Sequence, residues 1–161
     1  RMGPVNIVDV IHAAVLGMRR LFEEKGVEIC YSETFASFLA NPEKEVIIQA
    51  DRDKITQLCV NLLSNALKFC DPESGRVEVQ LELKDNWVYF AVSDNGPGIP
   101  AGMQQMIFEK FTQLNSNEFG KPQGTGLGLF ITKSIVEQHG GSIRLESEIG
   151  KGARFEVKLP L

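Results

Sequence analysis

Histidine is almost missing from this chain, with only His12 and His139 among 161 residues, so no histidine-rich metal site can be built from it. Cysteine is scarce as well. Cys30, Cys59 and Cys70 form no CxxC pair and no metal-ligand spacing. Cys59 and Cys70 fall on one expected helix, separated by about 16 Å at ~1.5 Å rise per residue, too far for a disulfide. Buried thiols in a reducing cytoplasm are the expectation. No run of ~18 apolar residues exists, so nothing reads as a membrane span, and no signal peptide opens the chain. The opening Arg1-Met2-Gly3-Pro4 reads as an arbitrary cut or a cloning remnant, which leaves room for a membrane tether upstream. An excess of positive charge is also lacking. The formal net charge of −4 argues against a general nucleic-acid binder, which carries a basic stripe.

What is present is an ordinary globular balance, 43% hydrophobic and 24% charged, in a length that suits one domain over residues 1–161. Val8, Ile11, Val15, Met18 and Phe22 form a helical stripe over residues 7–25, stopped by Gly26. Short apolar runs at 27–31 and 46–50 read as strands, separated by a polar loop containing Asn41-Pro42. Asp51 caps a long helix to about Phe69. Val77, Val79, Leu81 and Leu83 alternate with polar residues and give a half-buried strand. Residues 84–86 turn, and 87–92, apolar on both faces, read as a central strand. A short helix is expected at 103–109, a further helix at 126–139, and closing strands at 142–146 and 153–159 joined by Gly150-Lys151-Gly152. No internal repeat or domain boundary interrupts the pattern. The fold class is a layered α/β (α+β) sandwich, with helices on one face of a mixed, mostly antiparallel sheet.

Four places concentrate chemistry. On the helix after Asp51, the core stripe is Ile55, Leu58, Cys59, Leu62, Leu63, Ala66, Leu67 and Cys70. Asn61, Asn65 and Lys68 project together from another side, a set able to offer hard oxygen to Mg²⁺ and a cation to phosphate. A solvated helix face has the same pattern. After the central strand comes Asp94-Asn95-Gly96-Pro97-Gly98-Ile99-Pro100, a forced turn where backbone can approach a ligand. Asp94 could accept from an exocyclic amine such as adenine N6, or simply bond its own turn. Gly124-Thr125-Gly126-Leu127-Gly128-Leu129 opens a helix, where free N–H groups and the dipole favour an anion. It is neither a P-loop nor a Rossmann fingerprint, and it enters a helix rather than joining two strands. Finally, Phe108 and Phe111 anchor a polar segment of about a dozen residues that has the length of a lid, or of a plain surface loop.

Taken in order, Asn61–Phe69, Asp94–Ile99, Ile107–Phe111 and Gly124–Leu129 resemble the N, G1, F and G2 boxes of the ATP-binding domain of sensor histidine kinases. These belong to the GHKL superfamily shared with type II topoisomerases, Hsp90 and MutL. The similarity runs from about Ile7 to the closing Leu159-Pro160. It implies the Bergerat fold, with ATP and Mg²⁺ as ligands. It implies Asn65 as the metal ligand with Asn61 supporting, Lys68 on phosphate, and Asp94 on adenine N6. Gly96 and Gly98 would let the base sit close, Ile99 and Leu129 would wall it, and Gly124, Thr125, Gly126, Leu127 and Gly128 would hold the phosphates under the lid, with Phe108 at the lid's anchored end also counted among the nucleotide-binding residues. Hydrolytic relatives carry a glutamate at the position matching Asn61. An amide there cannot act as general base, which favours phosphoryl transfer over hydrolysis. Gln113 stands where some relatives carry an arginine.

The implied activity is a protein-histidine kinase whose acceptor histidine lies on a dimerisation domain upstream, in its own or the neighbouring subunit, with a response regulator as the next partner. His12 lacks the neighbours of a phosphoacceptor box, and His139 reads as a helix cap. The expected piece is monomeric, cytoplasmic, and in contact with neither nucleic acid nor membrane, although its parent could be anchored in one. A nucleotide-binding docking module with little turnover, a GHKL ATPase and a serine kinase of the same fold are the alternatives.

Overall fold

The computed structural model describes residues 1–109 and 128–161. Helix α1 (Ile7–Glu24) starts at Asn6, whose side chain accepts from Val8 N at 3.2 Å. It buries the stripe Val8, Ile11, Val15, Met18 and Phe22, and the chain leaves it through Gly26 at φ +68°. Helix α3 (Arg52–Phe69) is capped as expected by Asp51, whose Oδ1 accepts from Asp53 N and Lys54 N. Its stripe from Ile55 to Leu67 is buried.

Five strands form the main sheet: β2 (Glu28–Tyr31), β4 (Arg76–Lys84), β5 (Trp87–Asp94), β6 (Ser142–Ser147) and β7 (Ala153–Pro160). Their order is β2-β4-β5-β7-β6, parallel between β2 and β4 and antiparallel elsewhere, so β5 is central. Val77, Val79, Leu81, Val88, Phe90, Val92, Phe155, Val157 and Leu159 face the helix layer and are buried. The opposite face carries charged side chains, including Arg154 between Glu146 (2.6 Å) and Glu156 (3.0 Å). This is the mixed sandwich expected from the sequence. Among the described residues, no helix is long and apolar enough to cross a membrane.

Three local expectations need correction. The opening residues form a strand where none was expected: β1 (Met2–Asn6) pairs antiparallel with β3 (Ile47–Asp51) in a separate two-stranded sheet. The polar loop between β2 and β3 contains a helix, α2 (Glu33–Ala40), capped by Ser32 and anchored by the fully buried Phe35 against Tyr31, ring centroids 4.6 Å apart. Two turns are too short to be stable alone, so packing decides this helix. The helix expected at 103–109 is displaced. α4 covers only Ala101–Gln104, and the chain continues in i→i+3 turns, Met106 N to Met103 O and Glu109 N to Met106 O. The helix expected at 126–139 appears as α5 (Gly128–Gln138), its first two expected residues lying outside the described ones.

Candidate nucleotide site

The site grows from the end of the central strand. β5 delivers Asp94 half-buried at its C-terminal end, where Oδ1 accepts from Gly96 N at 2.9 Å. Burial outweighs this bond and pushes its carboxyl from the ordinary 3.8 up to about 6. Phe69, Asp94, Pro97, Gly98, Ile99, Ala153 and Phe155 line a small recess in which Asp94 is the ionisable group. An apolar slot with one carboxyl in its wall suits a flat ring carrying an N–H donor.

The glycines of this loop each have a packing reason. A Cβ on Gly96 would lie 1.7 Å from Phe69 O, so only glycine lets the loop close on the end of α3. Gly98 has φ +82°, and a Cβ there would lie 2.1 Å from Glu148 O. Asn95 is a residue whose part the sequence reading missed. Its Oδ1 accepts from Arg76 N (2.8 Å) and Asp71 N (3.3 Å), and its Nδ2 donates to Ser74 O (2.8 Å). One side chain thereby binds the loop after α3 to the loop after β5. An Asn after a strand is the available signal, but its partners lie about twenty residues away in sequence and are invisible to spacing.

Along α3, Asn61, Asn65 and Phe69 follow at i, i+4 and i+8, one row on one side of the helix. Phe69 reaches the recess. At the other end, Asn61 Nδ2 lies 3.5 Å from both Gly128 O and Thr132 Oγ1 in the first turn of α5. The fully buried Thr132 hydroxyl donates to Gly128 O at 2.8 Å. The row therefore spans ~12 Å, from the recess to the start of α5. Among the described residues, the half-buried Asn65 and exposed Lys68 side chains have no hydrogen-bond or ion-pair partner.

Ile99 is buried in the recess wall. Phe108 packs edge-on against Phe155 at 6.0 Å, behind the recess, while Leu129 packs against the core and is not among the recess residues. Gly128 opens α5 with free space where a Cβ would stand. Gly124, Thr125, Gly126, Leu127, Phe111 and Gln113 lie outside the described residues. Both histidines are engaged in the fold. His12 Nδ1 meets Tyr31 Oη at 2.7 Å. His139 Nε2 accepts from Asp51 N at 3.0 Å, so its proton sits on Nδ1, which donates to Ile135 O at 2.7 Å.

A family profile for histidine kinase-, DNA gyrase B- and HSP90-like ATPases matches residues 50–161. The chain belongs to this family. It is an ATP-binding catalytic domain of the histidine-kinase type. The circadian input-output histidine kinase CikA of Synechococcus elongatus is 43% identical over 114 residues, covering 71% of this chain and 15% of CikA. The chain thus spans a minor part of the curated relatives it matches. The nucleotide-free catalytic domain of histidine kinase ThkA superimposes with a TM-score of 0.79 at 25% identity, covering 99% of this chain and 97% of that one. ThkA has also been solved in complex with the response regulator protein TrrA. Full-length ShkA in complex with AMPPNP matches with a TM-score of 0.77 at 29% identity, over 99% of this chain and 31% of ShkA. In this histidine-kinase-type domain, the family match covers α3, the Asp94 loop and α5.

Proposed function

We propose that this domain binds ATP with Mg²⁺ and supplies the γ-phosphoryl group to a histidine on a separate dimerisation domain, from which a response regulator receives it. The observation that carries the reading is the row on α3. It starts at an apolar recess holding a carboxyl and passes two carboxamides before meeting the first turn of α5. A nucleotide laid along it has its base in the recess and its phosphates beside Asn65, Lys68 and the N-terminal end of α5.

In this pose Asp94, ionised, accepts from adenine N6. Guanine presents an acceptor at that edge and is repelled. Lys68 offers an ammonium to the phosphates. The carboxamide oxygen of Asn65, free of other partners among the described residues, fits a hard divalent cation, with phosphate oxygens and water completing the shell. When bound, Mg²⁺ neutralises charge on the transferring group. Asn61 has no basic atom to take a proton from water, and its amide N–H is directed to the α5 turn. Positioning without a general base suits transfer to an incoming nucleophile. The domain by itself is monomeric in this reading, and its own histidines are committed to Tyr31, Asp51 and Ile135.

Calorimetry with ADP and ATP in the presence of Mg²⁺ tests the binding step. Heat with both, reduced at least tenfold in affinity by N65A, is expected. No heat from well-folded protein with either nucleotide sinks the proposal. Incubation with γ-labelled ATP should leave the domain unlabelled while an added dimerisation domain acquires acid-labile phosphate. Steady hydrolysis by the domain would instead favour an ATPase.

A further inference from the structure

Resting on the nucleotide reading above, we infer that Ser147 and Gln104 are positioning residues for the purine recess, acting through the loop that forms its wall. Pro97, Gly98 and Ile99 line the recess. Their loop is braced from behind. Ser147, the last residue of β6, accepts from Ile99 N at 2.8 Å and donates its only hydroxyl proton to Gly152 O at 2.7 Å. Gln104, the last residue of α4, uses its carboxamide N–H groups on Ile99 O (2.8 Å) and Ser147 O (3.0 Å). Gly150 N donates to Pro97 O at 2.7 Å.

The two sides also meet without room to spare. A Cβ on Gly152, which has φ +80°, would stand 1.9 Å from Asp94 O, and one on Gly98 would stand 2.1 Å from Glu148 O. The turn between β6 and β7 and the 95–100 loop are therefore one unit. Ile99 has its N–H and its C=O both fixed by side chains outside its own loop. Neither Ser147 nor Gln104 lines the recess, so their effect on a bound purine is exerted through Ile99 and the seat of Asp94.

The test measures ADP and GDP affinity by calorimetry, with Mg²⁺, alongside thermal unfolding of the ligand-free protein. S147A removes an acceptor and a donor at once. It is expected to weaken ADP about tenfold and to narrow the preference for ADP over GDP. S147T keeps the hydroxyl and should restore ADP affinity to within about threefold of the unaltered protein. Q104E is nearly isosteric but brings carboxylate oxygen against two carbonyls, so it should weaken ADP more than Q104A does. It also serves if S147A does not fold. Folded S147A and Q104E proteins with unchanged ADP affinity and unchanged ADP-to-GDP preference overturn the inference. If the unaltered protein binds ADP and D94N binds it at least tenfold more weakly, that failure belongs to the brace alone. If the unaltered protein binds no ADP, both readings fall.

Discussion

At the scale of single residues, Asp94 controls two measurable quantities with opposite signs. Its folded pKa is raised from the ordinary 3.8 to about 6, so between those values the folded state holds more protons than the unfolded one. Stability of the ligand-free domain should therefore fall as pH rises from about 4 to 6, and this component should be absent from D94N. Thermal unfolding of both proteins across that range checks the difference. Binding runs the other way in the proposed pose, because there it is the carboxylate that would accept from adenine N6. The ADP dissociation constant should rise below pH 6, approaching tenfold per unit, and this step should be missing in D94N. Protonation of the phosphates is common to both proteins and cancels in the comparison. Gly96 makes a separate prediction. With Phe69 O only 1.7 Å from any Cβ, G96A must displace the loop or the end of α3. A loss of about 3 kcal/mol or more in urea unfolding, or failure to fold, is expected.

At the scale of elements, the joints between helices and strands carry more than their size suggests. His139 ends α5 and reaches the corner where β3 becomes α3, binding Ile135 O with one nitrogen and Asp51 N with the other. H139A leaves both backbone groups without those partners in a buried place and should cost about 2 kcal/mol, measured by denaturant unfolding. The short helix α2 depends on Phe35, which is fully buried. F35A should lose about 3–5 kcal/mol, as large-to-small core changes do. Both effects belong to stability. Neither residue touches the recess, so ADP affinity of the folded fraction should hold. Asn95 and the Ser147–Gln104 pair differ in kind, since they join the elements that frame the recess.

At the scale of the whole molecule, one sheet face meets the helices and the other stays polar, and the site forms where the central strand ends beside α3 and α5. Much of this was legible in the sequence because it is periodic or local. The 3.6-residue stripe of α3, the alternation in β4, the cap at Asp51 and the glycine turns at 96–98 and 150–152 are each dictated by neighbours within a few residues. So was the grouping of Asn61, Asn65 and Lys68, since helix geometry alone puts them on one side. The pairing of β1 with β3, the existence of α2, the clamp made by Asn95 and the brace through Ser147 and Gln104 were not legible. Each depends on partners brought from distant parts of the chain, such as Met2 beside Asp51 or Ile99 beside Ser147. The sequence by itself thus determined which residues stand together as candidates for a nucleotide. Only the tertiary structure decided how their loops are held, because a hydrogen bond across about fifty residues leaves no period behind it.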